Sequence, residues 1–326
     1  MTAYWISQCI YAVSKLGIAD LLKDGPKNCS ELAEASGAHG PSLYRVLRGL
    51  ASEGIFSEDD EGRFHLTELA DHLRSDVPHS MRSAMLMYGQ EAYQAWGALL
   101  HTVQTSETGF NNVFGMPIFD HLEKSEVASE TFNQAMGQLG RTMYNDAAII
   151  DAMDFSSMEC VMDAGGGHGN FLMNILQANP HLKGILFDLP HVIEGARPRV
   201  QQANLEDRCE LVAGSFFEAL PKGADACILK RIIHDWDDES SIAILKNCRE
   251  AMGANGRVLI VETVIPKGNE PFFGKLLDLH MMIITGGLER TEEEYRSLLG
   301  RAGLALSRVL ETECCISVVE GIEGNF

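Results

Sequence analysis

Apolar positions recur at helical spacing through the first 80 residues and are cut by turn signals. Residues 11–22 carry apolar side chains three and four apart and are predicted to stop at Gly25-Pro26. Ser30 is predicted to cap a helix that ends at Gly37. Residues 41–56 set Leu43, Val46, Leu47 and Leu50 on one face. A polar turn around Glu58-Asp59-Asp60-Glu61 and Gly62 then precedes the alternating segment 63–67. Helix, turn, helix and a small β-wing predict a winged-helix module. Residues 81–150 read as helical throughout.

The pattern changes near residue 158. Segments 160–166, 184–190, 209–217, 225–233 and 256–265 are apolar runs of strand length, with helical segments such as 170–178 and 240–253 between them. Strands apolar on both faces that alternate with helices predict a parallel sheet covered by helices. After a helix over 292–303, segments 304–311 and 314–321 follow closely and predict an antiparallel hairpin at the sheet edge. The expected domains are 1–85, a winged helix; 86–150, a helical linker and pocket region; and 151–326, the α/β sheet.

Composition narrows the partners. The chain of 326 residues has 26 Lys and Arg against 46 Asp and Glu, a formal charge of −20. That excess disfavours nucleic acid or an anionic membrane surface as the partner. The winged helix itself is acidic, since residues 1–90 hold 8 basic and 12 acidic side chains. It therefore lacks the basic footprint of a DNA reader. No apolar run approaches the ~18 residues of a membrane span. The eight cysteines form no CxxC or zinc-spaced set, so no metal site is expected. The opening residues lack a basic start before an apolar run, and a cytoplasmic setting is expected.

The chemistry lies at strand ends. Strand 160–163 runs into Asp163-Ala164-Gly165-Gly166-Gly167-His168-Gly169, and a helix opens at once. Such a loop brings a ligand close to bare backbone at a helix N-terminus. The dinucleotide pattern GxGxxG would need glycine at Asn170. His168 is expected to face solvent. Asp188 ends the next strand, 23 residues after Gly165, where a carboxylate either takes ribose hydroxyls or caps the helix after Pro190. His234 stands where the fourth strand ends. It either acts as a general base or packs within a strand-to-helix turn.

Five motifs in order, DAGGGHG (163–169), FDLPHVIEGA (187–196), LKRIIHDWDDE (229–239), GRVLIVETVIP (256–266) and GGLERTEEEY (286–295), make the chain resemble the small-molecule O-methyltransferases of plant caffeate and microbial natural-product type. The resemblance covers nearly the whole chain. It implies a class I methyltransferase sheet, Rossmann-like, with a C-terminal antiparallel hairpin and an N-terminal winged-helix dimerisation domain. It also implies S-adenosyl-L-methionine as cofactor, S-adenosyl-L-homocysteine as product, and a homodimer.

Residue by residue, the resemblance makes His234 the base, with Glu262 flanking it and Glu289 orienting the imidazole. Cofactor contacts fall on Gly165, Asp188, Gly214, Ser215, Phe216, Lys230 and Arg231. Ser215 stands where many relatives have aspartate. Met136 and Met282 are expected to line the acceptor pocket, although either could be ordinary core. The acceptor implied is a small aromatic hydroxyl compound. N- or C-methylation, or decarboxylation, hydroxylation or cyclisation on the same fold, stay open, as does a winged-helix regulator without enzymatic activity.

Overall fold

The structure, a computed structural model, describes residues 2–253 and 255–324. The chain forms two compact units, one of residues 1–97 and 119–142, the other of residues 98–118 and 143–326.

The first unit begins with helix Ala3–Lys15, which ends before the left-handed Gly17; the short helix Ile18–Leu21 follows. The predicted helix over 11–22 is thus two helices broken at that glycine. Helix Cys29–Ser36 is capped by Asn28, not by Ser30. The Asn28 side chain accepts from Glu31 N, and Glu31 returns a bond to Asn28 N. This reciprocal box satisfies two orphan amides, so it outcompetes a lone serine hydroxyl. Helix Gly40–Ser52 buries Leu43, Leu47 and Leu50. Strands β1 (Lys27–Asn28), β2 (Phe56–Glu58) and β3 (Arg63–Leu66) form an antiparallel sheet in the order β1-β3-β2. Phe56 and Phe64 plug it onto the helices, completing the winged-helix arrangement.

The region read as continuous helix, 81–150, is a series of shorter pieces, the longest of them Glu126–Thr142. A π-helical turn over Tyr88–Ala92 lets Gly89 meet Tyr11 of the first helix, and Gln8 Nε2 donates to the Gly89 carbonyl at 3.0 Å.

The second unit is built on seven strands: β4 (Cys160–Ala164), β5 (Lys183–Asp188), β6 (Cys209–Ala213), β7 (Ala226–Lys230), β8 (Arg257–Glu262), β9 (Leu304–Glu311) and β10 (Ser317–Glu323). Their order is β6-β5-β4-β7-β8-β10-β9. The first five in chain order run parallel; β10 pairs antiparallel with both β8 and β9, which is the expected edge hairpin. Because β5 and β7 lie on opposite sides of β4, the chain reverses its winding there. A crevice opens at the carboxyl ends of β4 and β7. One face of the sheet packs Leu229, Val258 and Ile260 against Leu245 and Leu298. On the other, Leu172 and Leu176 of helix Asn170–Ala178 pack so tightly on β5 that only Gly184 fits beneath them. Among the described residues no helix is long and apolar enough to cross a membrane.

Candidate active site

The loop after β4 turns at Gly165, whose φ of 76° suits glycine and whose amide donates to Phe187 O at 2.7 Å. A side chain here would overlap Ile232 and press on the Phe216 ring. Asp188, at the end of β5, accepts from Gly167 N at 2.8 Å and from Leu189 N at 2.7 Å. Burial raises its pKa, and these two amides oppose the rise. An ionised carboxylate has about four acceptor positions, so capacity for two hydroxyls remains.

Gly214, after β6, donates to Asp188 O at 3.0 Å and lies against the Phe187 ring. Ser215 Oγ accepts from Phe217 N at 3.3 Å. The Phe216 and Phe217 rings stand edge-on to Trp236, with centroids 6.2 and 4.7 Å away. Leu189 and Phe217 remain 44% and 40% exposed, an apolar rim where the ends of β5 and β6 meet solvent.

Local pattern alone gives Asp163, at the start of the glycine motif, no role. It is buried beneath the loop, where the Leu172 backbone amide approaches its carboxyl. Burial pushes it up to about 7, against the nearby charge of Lys230. Lys230 Nζ pairs with Asp146 at 2.9 Å and lies 4.7 Å from the centre of the Phe171 ring. Arg231 holds a left-handed backbone with φ of 59°, and its guanidinium stacks 4.7 Å from the centre of the Tyr144 ring. Left-handed backbone costs a non-glycine residue about 1–3 kcal/mol, which the surrounding packing must offset.

Beyond β7, residues Ile233–Asp235 form one turn of 3₁₀ helix that carries His234. Its Nδ1 lies 2.7 Å from Glu289 Oε1, with both side chains buried. Burial and the charge of Arg231 push the imidazole down. The charges of Glu289 and Asp235 outweigh them, and its pKa rises above 6.5. Burial would raise Glu289, but the charge of His234 and its hydrogen bond draw it below 4.5. A carboxylate held ionised can only accept, so Nδ1 carries the hydrogen and Nε2 is the basic nitrogen. Asp235 Oδ1 is 3.7 Å from that Nε2, and burial pushes Asp235 up to about 6.

Glu262 does not touch the imidazole. Its Oε1 accepts from Ile232 N at 3.0 Å and His234 N at 3.1 Å, and its Oε2 accepts from Tyr295 OH at 2.6 Å. It therefore holds the backbone of the turn. Arg290, buried, donates to Ile233 O and Trp236 O, each at 3.1 Å, and to Asp238 at 2.9 Å. Arg290 and Tyr295 lie in the same motif as Glu289, GGLERTEEEY, but their spacing alone assigns them no role. Gly287 presses on the His234 carbonyl with no room for a methyl group. On Phe273–Ile284, burial and the charges of Arg231 and His234 push His280 down to about 4.

His168, expected at the surface, is buried; Gly195 leaves the space that its ring fills. Met136 lies in the first unit and Met282 in the second, each half-buried. Among the described residues no group of three His, Cys, Asp or Glu could hold a metal ion.

Two family models match: the O-methyltransferase domain over residues 96–305 and the O-methyltransferase dimerisation domain over residues 1–76. Phenazine O-methyltransferase PhzM of Lysobacter antibioticus is 49% identical over 320 residues, 98% of this chain and 93% of its own. Phenazine-1-carboxylate N-methyltransferase of Pseudomonas aeruginosa is 32% identical, covering 95% of this chain and 92% of its own. The crystal structure of LaPhzM matches with a TM-score of 0.96 at 47% identity, over 99% of this chain and 97% of that one. NcsB1 from neocarzinostatin biosynthesis, solved with S-adenosylmethionine and 2-hydroxy-5-methyl naphthoic acid, matches at 0.86 and 32% identity, over 98% of this chain and 96% of its own.

Sheet order, edge hairpin and glycine loop define a class I methyltransferase. The chain belongs to the O-methyltransferase family, and its reaction is S-adenosyl-L-methionine-dependent methylation of small natural-product molecules. Its residues suit that cofactor. Asp188 has acceptor capacity for ribose, the apolar rim suits a flat base, and the buried carboxylate of Asp163 suits a cation.

Proposed function

We propose that the enzyme methylates a hydroxyl, phenolic in chemistry, on a planar aromatic acceptor, with His234 as general base. The observation that carries this reading is the buried 2.7 Å bond between His234 Nδ1 and Glu289. It fixes the tautomer and leaves Nε2 free to take a proton. When bound, S-adenosylmethionine supplies an electrophilic methyl group.

Asp188 holds the ribose, Asp163 the cationic amino-acid tail, and Gly165, Gly214, Ser215 and Phe216 frame the nucleoside. Lys230 acts through Asp146 and the wall of Phe171, and Arg231 sits beside the reacting groups. His234 Nε2 removes the hydroxyl proton as the oxygen attacks, and Glu289 stabilises the imidazolium that forms. A phenol has an unperturbed pKa of about 10, and raising the imidazole above 6.5 narrows the gap. Glu262 fixes the backbone beneath His234. Met282 contributes apolar surface to acceptor binding.

Relatives named for phenazine and solved with a naphthoic acid support a fused-ring acceptor. One relative is an N-methyltransferase. A ring nitrogen without hydrogen has no proton to surrender, so the His234–Glu289 pair favours oxygen. His234→Ala is expected to abolish methylation of a hydroxyphenazine or hydroxynaphthoate while S-adenosylhomocysteine still binds. Unchanged turnover would remove His234 as base, and a product methylated on nitrogen would remove the hydroxyl.

The same reading includes a homodimer through the first helix. Tyr4 and Trp5 are 50% and 59% exposed, and Tyr93 adds a third aromatic ring 6.4 Å from Tyr4. The dimerisation model covers this helix. Trp5→Glu is expected to weaken the dimer in light scattering; a monomeric parent protein would overturn the assignment.

A further inference from the structure

The turn that carries His234 is held by two side chains that never touch the imidazole. Tyr295, in helix Glu292–Arg301, and Arg290, just before that helix, are both buried. Tyr295 donates to Glu262, which accepts the amides of Ile232 and His234. Arg290 takes the carbonyls on the other side of the same turn, Ile233 and Trp236. Its own backbone is tied to the exit of β8 through Ile265 N. We infer that Tyr295 and Arg290 are positioning residues for methyl transfer, setting the placement of His234 through the backbone of its turn.

A buried cation is weak support for stability, because apolar packing of equal volume often serves as well. Arg290 also spends its donors on the turn, Asp238 and Ser241, all within one short stretch. That arrangement fits a demand for conformation. Glu262 carries a second constraint. All three of its neighbours donate to it, which favours the carboxylate form. Burial raises its pKa, and the Tyr295 hydroxyl is one of the groups that resist the rise.

The inference rests on His234 as base, and the two can be separated. In the full-length enzyme, Tyr295→Phe is expected to lower kcat about ten- to hundredfold, the scale of a small misplacement of a reacting group. Acceptor KM and S-adenosylhomocysteine affinity should stay close to the parent values, while the melting temperature falls by a few degrees for the lost buried hydrogen bond. Without the phenol, Glu262 protonates at higher pH and the turn loosens, so the acid limb of the pH–rate profile moves up and steepens. Arg290→Lys, which keeps charge without the planar fork, should lower kcat with KM unchanged and retain more activity than Arg290→Met. It also serves as the test if Tyr295→Phe does not fold.

A parent-like kcat and pH profile in Tyr295→Phe, or in Arg290→Lys where that variant stands in, would overturn the inference. So would a fall in kcat matched by a loss of cofactor affinity and a melting temperature lowered beyond those few degrees, which marks a merely structural role. Activity retained in His234→Ala would strike the base assignment instead.

Discussion

Nδ1 of His234 and Oε1 of Glu289 lie 2.7 Å apart in a pocket that excludes solvent from both side chains. The pair ties the end of β7 to a segment 55 residues later. Their shifts agree in sense: the imidazole is raised and the carboxylate lowered, as an ion pair requires. With His234 as the proposed base, turnover would need the neutral imidazole, so activity should rise with pH through a value above 6.5. Glu289→Gln removes the largest raising influence and leaves burial and Arg231 to dominate. The acid limb should then move to lower pH, while the plateau falls by roughly 10²-fold or more, because the imidazolium loses its counter-charge. A pH–rate profile checks both changes; an acid limb that stays in place would show that Glu289 does not set the base.

Gly287 makes the close approach of that segment possible. A methyl group there would overlap the His234 carbonyl oxygen and come within 2.8 Å of Asp235 Cα, both backbone atoms that cannot swing away. Gly287→Ala should cost about 1–3 kcal/mol as overpacking and displace the turn. We expect loss of methyl transfer with S-adenosylhomocysteine binding largely kept. Gly286 differs, since its φ of 80° makes the penalty conformational, with Thr108 its nearest neighbour. Gly286→Ala should be the milder change, and equal losses in the two variants would contradict this assignment.

The sheet was legible because its central strands are apolar on both faces, and the site because its glycines, Asp188, His234 and Glu289 sit in motifs. Other roles depend on partners that local pattern does not reveal. Tyr295 reads as an ordinary apolar helix position until Glu262, 33 residues away, is placed beside it. Arg290 reads as a surface charge until its five-donor fork is seen on the turn. His168 reads as solvent-facing because nothing in its loop announces the gap at Gly195. The exception is Asn28, whose spacing to Glu31 was a visible capping box.

Asp188 accepts one amide of the glycine loop, Gly167 N, and the amide of its own neighbour, Leu189 N. Asp188→Ala leaves both donors unsatisfied and removes the proposed ribose acceptor. Hydrogen bonds to a charged group are worth about 1.5–3 kcal/mol each, so S-adenosylhomocysteine affinity should fall by at least tenfold. Asp188→Asn has one acceptor oxygen for two backbone donors and should recover only part of the loss. Calorimetric titration checks this; an affinity matching the parent in either variant would exclude Asp188 from the cofactor site.

Asp163, proposed to hold the cofactor's cationic tail, is expected to link cofactor affinity to protons. Below about 7 its buried carboxyl is largely protonated in the free protein, and only the ionised form can hold a cation. Binding of S-adenosylhomocysteine, which carries an ammonium group, should therefore release a proton. Affinity should climb by up to about tenfold per pH unit below that value and flatten above it. Folding stability moves the opposite way. The folded-state pKa lies above 3.8, so the folded chain binds more protons than the unfolded one between 3.8 and about 7. Across that window the Asp163 contribution turns increasingly unfavourable as pH rises. Asp163→Asn should flatten both dependences. Titrations in two buffers of different ionisation enthalpy count the released proton directly. Equal proton release by the parent and Asp163→Asn would refute the link, because a carboxyl that does not ionise on binding cannot be the group holding the cation.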